Sequence, residues 1–361
     1  MLDDQTFRQL LGDHPHAVSI YHPADPKQVD ARGPAAGLRV ALGEAEAALR
    51  RRGLDEEAIR SLLAPAHEAA ADYDPARHRG HGLMMFAAPG VFHSVPLPTP
   101  LASAVVVGGH FHVKPLLPVM AHNKHFFILG VSRDRARLLA ATPFEATEVP
   151  LQLAHVPQGL APEGAIEEPE QSGPDVPIVE QGDHFRAVAH AVHEAIGTDP
   201  APIILAAEPD TAGHFPRVAH LPTLQTEALH VNAFALTNAD LLARVVDMMR
   251  PVLDAEVETV LEQVQARLGT GEHTVAIRLE EIVAAAWFGR VDAVVVASDD
   301  ALWGTFDPET STVHAHGHPV GADEDLLNVA AVKALQTGGR AYALPLERLP
   351  RRAPAVATMR Y

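Results

Sequence analysis

The stretch VDAVVVASDDALWGTFDP, residues 291–308, governs the reading of the fold: an apolar run, a short polar turn, then a second run carrying Trp303 and Phe306. The same phrase returns in HGLMMFAAPGVFHSVPLP (81–98) and in HFFILGVSRDRARLLAATP (125–143). Short apolar runs bounded by turn residues favour paired strands, so each reads as a β-hairpin. On this reading Ser298-Asp299-Asp300 is a solvent-facing bend and not an acid and base pair.

Helices fill the intervals. In GLRVALGEAEAALRRRG, Leu38, Leu42, Ala45 and Leu49 recur at helical spacing, and the basic last turn is followed by Gly53, a helix-stop signal. A second helix starts at Asp55 with Ile59, Leu62 and Leu63 inward, and Pro65 marks its end. AVSIYHP (17–23) and ASAVVVGGHFHV (102–113) read as strands and KPLLPVM (114–120) as an exit linker. Further on, Phe185, Val188, Ala189, Val192 and Ile196 mark a helix before the buried-type strand PIILAAEP (202–209). Thr237 with Asp240 three residues later opens another helix, which Pro251 kinks or breaks before DAEVETVLEQVQARLG resumes the spacing. The remainder reads helix, hairpin, helix, strand. Strands alternating with helices give an α/β class, arranged as three consecutive α/β domains at 1–120, 121–252 and 253–361.

Composition excludes several classes. A chain of 361 residues with 47% hydrophobic content suits two or three cores. Without Cys it has no disulfide, thiolate zinc site or Cys nucleophile. No apolar run approaches the roughly 20 residues that span a bilayer, so a cytoplasmic protein is expected. A net charge of −18 opposes general polyanion binding, which rests on Lys and Arg. The balance is uneven: 11 basic and 13 acidic residues in 1–120, against 8 and 17 in 121–252 and 9 and 16 in 253–361. Any RNA contact must therefore be local. Residues 155–183 hold five prolines and seven acids without Lys or Arg, the signature of a mobile loop.

The order of SIYHP, GLMMFAAPGVF, HFHVKPLLP, HFFILGVSRDRARLL, GRVDAVVVASD, NVAAVKALQTGGRAYALP and AVATMRY resembles the bacterial archaeo-eukaryotic release factor family, relatives of the class 1 termination factor and of Pelota. The resemblance implies a family-specific N-terminal domain, a middle domain like the ribonuclease-H-like domain of the termination factor, and a C-terminal α-β-α sandwich like kink-turn-binding ribosomal proteins. It implies the ribosome or ribosomal RNA as partner, in rescue, dormancy or translation control, and a protein partner at the C-terminal domain. The family's release tripeptide Gly-Gly-Gln occurs nowhere in the chain. Its positional counterpart is the acidic loop, where Gln171, Ser172 and Gly173, then Gln181 and Gly182, lack the paired glycines.

Lys124, Arg133, Arg135 and Arg137 form the one basic cluster of the acidic middle segment, and with Arg50, Arg51 and Arg52 they are the candidate contacts to RNA backbone. His110 and His112, taken as same-face residues of a strand, and His314, His316 and His318 have the spacing of metal ligands, but no third partner is identifiable for the first pair and no metal site is assigned. GTGEH (269–273) and TGGR (337–340) follow helices, unlike phosphate-binding loops. No cofactor is expected. The reading is a non-catalytic ribosome-associated factor; its rivals are a protein-binding scaffold and a metal-dependent hydrolase or nuclease using the His clusters or the middle domain. The strands of that domain at 125–143 and 202–209 supply only Asp134, Glu208 and Asp210, all at strand ends, where several convergent carboxylates are needed.

Overall fold

The computed structural model describes residues 4–23, 36–74, 82–97, 102–121, 125–153, 178–268, 274–321 and 323–361. They form two compact units, one from residues 1–121 together with 254–361 and the other from residues 122–253. The architecture is mixed α/β, as expected from the alternation of elements.

The first unit begins with α1 (Asp4–Leu10), β1 (Ala17–His22), α2 (Ala36–Arg51), α3 (Glu56–Ala71), β2 (Gly82–Ala88), β3 (Val91–Leu97), β4 (Ala104–Gly108) and the short α4 (Leu117–Ala121). The strands form an antiparallel sheet ordered β3-β2-β1-β4. Val18, Ile20, Leu83 and Met85 face Leu38, Leu42, Leu49, Ile59 and Leu63 of the two long helices. On the opposite face Tyr21 meets Phe86, and Phe86 meets Phe111, at ring distances of 6.1 and 5.5 Å. Both faces are covered, so GLMMFAA is apolar throughout instead of alternating. Gly53 takes φ +87°, the left-handed C-terminal stop read from sequence. Pro65 does not end α3, which continues to Ala71 because Ala66 and Ala70 extend its buried face.

Residues 114–120 are a correction as well. They are not a linker: Lys114 and Leu116 are buried, and Leu117 belongs to the core of the chain's C-terminal part. Leu116, Leu117 and Val119 of KPLLPVM are consumed by packing, which prolines disguise as loop composition.

The second unit contains β5 (Phe126–Val131), β6 (Ala136–Ala141), β7 (Ala146–Val149), α5 (Ile178–Ile196), β8 (Ile203–Ala207), α6 (Pro209–Val218), β9 (Leu229–His230) and the start of α7 (Asn238–Leu268). Its sheet runs β7-β6-β5-β8-β9, with β5 parallel to β8 and β8 parallel to β9. Phe127 and Leu129 face Phe185, Val188 and Phe215 of α5 and α6. Phe126 and Ile128 face Leu241, Val245 and Met249 of α7. Thr237 caps α7, its Oγ1 accepting from Asp240 N at 3.1 Å. Pro251 lies inside α7, which is one helix and not two.

The C-terminal part of the first unit adds β10 (Val275–Ala276), α8 (Leu279–Trp287), β11 (Val291–Ala297), β12 (Trp303–Asp307), β13 (Thr312–His316), β14 (Glu324–Asp325), α9 (Leu326–Gln336), β15 (Arg340–Leu344) and β16 (Ala355–Met359). Here the third hairpin fails. β11 pairs antiparallel with β16 and parallel with β15, so both its edges are taken, while β12 pairs with β13 and β14 in a separate three-stranded sheet. Ser298-Asp299-Asp300 is the crossing between the sheets: Ser298 N donates to Leu344 O and Leu346 N to Asp299 Oδ1, both at 2.8 Å. Gly304 is required where β12 meets β13, since a Cβ there would lie 2.2 Å from His314 O. Gly304→Ala should lower stability by about 1–3 kcal/mol, read as a fall in the thermal transition.

Candidate nucleic-acid interface

The β5–β6 hairpin ends in a tight turn that fixes its cations. Ser132 N donates to Arg135 O at 2.8 Å, and Ser132 Oγ accepts from Arg135 N at 3.0 Å while donating to Asp134 Oδ1 at 2.8 Å. Arg133 projects into solvent without a partner among the described residues. Arg135, also exposed, lies 4.5 Å over the Phe234 ring and 3.7 Å from Asp134. Arg137 differs. It donates to the carbonyls of Ala233 and Leu236 and, at 3.2 Å, to Asn238 Oδ1, so it ties the approach to α7 onto the sheet. Lys124 lies outside the described residues.

The three arginines ending α2 separate similarly. Arg50 is gripped by Glu56 with both ends of its guanidinium and by Glu46 at 3.5 Å, which raises its pKa and holds Glu56 below the usual carboxylate value. Arg52 is half-buried and donates to Asp323 O at 2.9 Å; burial pushes its pKa down against the pull of Glu324 and Asp323. Arg51 alone is exposed and unpartnered among the described residues. Sequence reasoning missed Arg351 and Arg352, exposed in a turn with φ of 56° and 52°. Consecutive left-handed non-glycine residues are costly, and such strain gathers at functional positions. Their flanking prolines in LPRRAP were the signal available.

The HFH segment is not a strand. β4 ends at Gly108, and residues 109–113 run as irregular backbone against the C-terminal part of the same unit. His110 and His112 therefore share no ligand face. His110 Nδ1 lies 3.2 Å from Glu324 Oε2 and its Nε2 3.2 Å from Asp13 Oδ1. Glu324 Oε1 also accepts from Gly109 N at 2.7 Å and His110 N at 2.9 Å. Gly108 makes room for this carboxylate, since a Cβ there would sit 2.6 Å from Glu324 Oε1. Burial raises the Glu324 pKa, but the His110 and Gly109 contacts outweigh it and hold the carboxyl below its ordinary value. Lys333 Nζ donates to Asp13 Oδ1 at 2.8 Å and sits 4.3 Å over Trp287. With Gln336 also donating to Asp13, these contacts overcome desolvation and hold that carboxyl at about 2.

Next to this cluster, Lys114 Nζ lies 2.6 Å from Asp325 Oδ2, both residues being buried. The contact is an ion pair without directed hydrogen-bond geometry at that oxygen. Burial pushes the His112 pKa down to about 4, Asp325 pulling it up and Lys114 pushing it further down. Asn328 fastens the segment, accepting from Val113 N and Lys114 N and donating to Phe111 O at 2.8, 3.0 and 3.0 Å. These groups hold the residues around 110 to the 324–336 segment by charge and hydrogen bonds; their role is structural.

His316 Nδ1 lies 2.7 Å from Asp323 Oδ2, while His314 and His318 are exposed. Among the described residues no group of three His, Asp or Glu side chains is placed to hold a metal ion. Gln171, Ser172 and Gly173 lie outside the described residues, whereas Gln181 and Gly182 are in α5. That helix starts at Ile178, so residues 178–183 belong to it and not to the acidic loop, the Asp183–Arg186 pair falling at helical spacing.

Residues 125–290, just under half of the chain, match the model of bacterial archaeo-eukaryotic release factor family 3. The chain is release-factor-like. The matched segment takes in the Ser132–Arg135 turn, the β5–β8 sheet and all of α7; residues 1–124 and 291–361 lie outside it. No curated protein sequence matches. Among solved structures, an archaeal translation termination factor, aRF1, is 15% identical, covering 99% of this chain and 96% of that one at a TM-score of 0.26. Dom34 of S. cerevisiae, described as a termination-like factor interacting with Hbs1, is 11% identical over 80% and 82% at 0.36. A ribosome-bound archaeal Pelota, described with ABCE1, is 12% identical over 75% and 72% at 0.38. No described helix is long and apolar enough to cross a membrane.

Proposed function

We propose that this release-factor-like protein is a cytoplasmic, non-catalytic factor that associates with the ribosome, in rescue, dormancy or translation control. The observation that carries the reading is the release-factor match over residues 125–290 in a chain that contains no Gly-Gly-Gln. Without that tripeptide the protein docks by shape and does not hydrolyse the peptidyl ester. Residues 1–120, 121–252 and 253–361 act as its three functional segments, the middle one ribonuclease-H-like and the last one like kink-turn-binding ribosomal proteins. The acidic balance of the last segment suits a protein partner.

Contacts to RNA backbone come from the cations left free by the fold. Arg51, Arg133 and the stacked Arg135 fill that role, with Arg351 and Arg352 joining them; Arg50, Arg52 and Arg137 are engaged within the protein. Arg133→Glu and Arg51→Glu should each weaken binding to purified ribosomes about tenfold at low salt, and the salt slope should fall by roughly 0.7–0.9 per lost phosphate contact. Arg50→Gln should change it little. Sucrose-gradient co-sedimentation of growing and starved cell lysates tests the association itself: absence from every ribosomal fraction rejects it. Liberation of nascent chains from programmed ribosomes by the purified protein rejects the non-catalytic part.

A further inference from the structure

The second unit carries a cleft of about 360 Å³ at the carboxyl ends of its parallel strands β5, β8 and β9. That edge of an open α/β sheet is where small ligands collect, and the volume lies at the lower end of small-ligand sites. The ribosome contact proposed above uses its rim residue Arg133 but not its interior.

Its floor is the start of α6. Glu208 occupies the N-cap without a side-chain cap hydrogen bond, and Pro209 at the first position has no N–H. The amides of Asp210 and Thr211 have no hydrogen-bond partner among the described residues, as expected of an uncapped first turn. A second observation concerns a side chain of that turn and not its amides. Thr211 is 4% exposed, lines the cleft, and its hydroxyl has no partner among the described residues. The carbonyl four residues back, Ala207 O, the usual acceptor for a helical Thr hydroxyl, accepts from Val231 N at 3.1 Å and not from Thr211. The residue is buried while its unpartnered oxygen is not fully enclosed, so the hydroxyl opens on the cleft it lines as a donor free for a ligand.

The walls define what the ligand is. Arg133 is the free guanidinium at the rim, on the same cleft as the Thr211 hydroxyl. Glu208 presents a carboxylate whose described partner is Asn232 Nδ2 at 3.3 Å, leaving acceptor capacity for a hydroxyl pair. Phe234 supplies an apolar ring. We infer that the cleft binds a nucleoside 5′-monophosphate, free or as the 5′ end of an RNA. The phosphate lies on the α6 amides, the Thr211 hydroxyl and Arg133; the ribose hydroxyls donate to Glu208; the base lies against Phe234. Asp134 also lines the cleft, so the additional negative charge of a triphosphate is disfavoured.

The test is calorimetric and NMR titration of the full chain with AMP, GMP, CMP and UMP, with ATP, the nucleosides and orthophosphate, and with a short oligoribonucleotide bearing either a 5′-phosphate or a 5′-hydroxyl. A monophosphate is expected to bind with a dissociation constant below about 1 mM, at least about tenfold tighter than its nucleoside, orthophosphate or ATP. Thr211→Val should weaken it about tenfold with an unchanged thermal transition, because the hydroxyl has no partner to lose. Glu208→Gln should weaken the monophosphate and leave orthophosphate unaffected. Preference for the free mononucleotide over the phosphorylated oligonucleotide, or the reverse, identifies the source. Absence of monophosphate binding, equal affinity for orthophosphate, or indifference to Thr211→Val overturns the assignment. Ribosome co-sedimentation is read separately, so either conclusion can fail alone.

Discussion

Asp325→Ala is expected to lower the stability of the unit formed by residues 1–121 and 254–361 by about 4–6 kcal/mol. Two losses combine. Asp325 is the N-cap of α9, its Oδ1 accepting from Leu327 N at 3.1 Å, and loss of such a cap costs about 1 kcal/mol. The larger part is Lys114, left buried without the carboxylate 2.6 Å away, at about 3–5 kcal/mol for a broken buried pair. In a unit of this size the thermal transition should fall by about 10 °C. The carbonyl of Asp300, which also accepts from Lys114, softens the effect without replacing a charge. Lys114→Met should be costly alone and much less so combined with Asp325→Asn, which keeps a capping oxygen. A double-mutant cycle measures the difference. Additive single effects would show that the pair does not interact as the geometry requires.

Acid should destabilise the same unit. Buried His112 titrates near 4 in the fold and near 6.5 when unfolded, so below pH 6.5 the unfolded chain binds a proton that the folded chain refuses. Stability is therefore fully present above about pH 6.5 and is lost as pH falls towards 4. The His112 contribution lost between pH 7 and 4.5 amounts to about 2–3 kcal/mol. Glu324 and Asp13 act in the same direction lower down, because both carboxyls are held below their ordinary values and lose their partners' benefit on protonation. Half-buried His22, also pushed down by burial, adds to the slope. Denaturant midpoints from pH 7.5 to 4.5 check this. His112→Phe should flatten the curve between 6.5 and 4.5, and a curve of unchanged steepness would show that His112 is not the group responsible.

Much of the fold was legible locally. Leu38, Leu42 and Leu49 announced α2, Gly53 its end, and Thr237 with Asp240 the start of α7. The apolar runs at 82–88, 126–131 and 203–207 are strands. The errors share one cause. Pro65 and the prolines around Leu117 are signals of interruption overridden by burial of neighbouring apolar groups, whereas the Asp pair at 299–300 does follow the end of a strand and the error there lay in the partners of β11; local composition registers neither. The candidate site was less legible. Seven cations stood out by sequence proximity, yet Arg50, Arg52 and Arg137 are spent on acceptors within the fold, and the exposed Arg351 and Arg352 drew no notice.

From its residues alone this chain determines the alternation of helices and strands, the ends of several helices, the lack of Cys and of a release tripeptide, and an acidic net charge. All of these follow from neighbours within a turn or from composition. Tertiary structure decided which strands pair, placing β11 between β15 and β16, and it turned HFH from a strand into a clamp of charged groups. It also decided which arginines stay free. Strand partners and charge partners lie far apart in sequence, as Lys114 and Asp325 do, and periodicity reports whether a position is buried without naming what it is buried against.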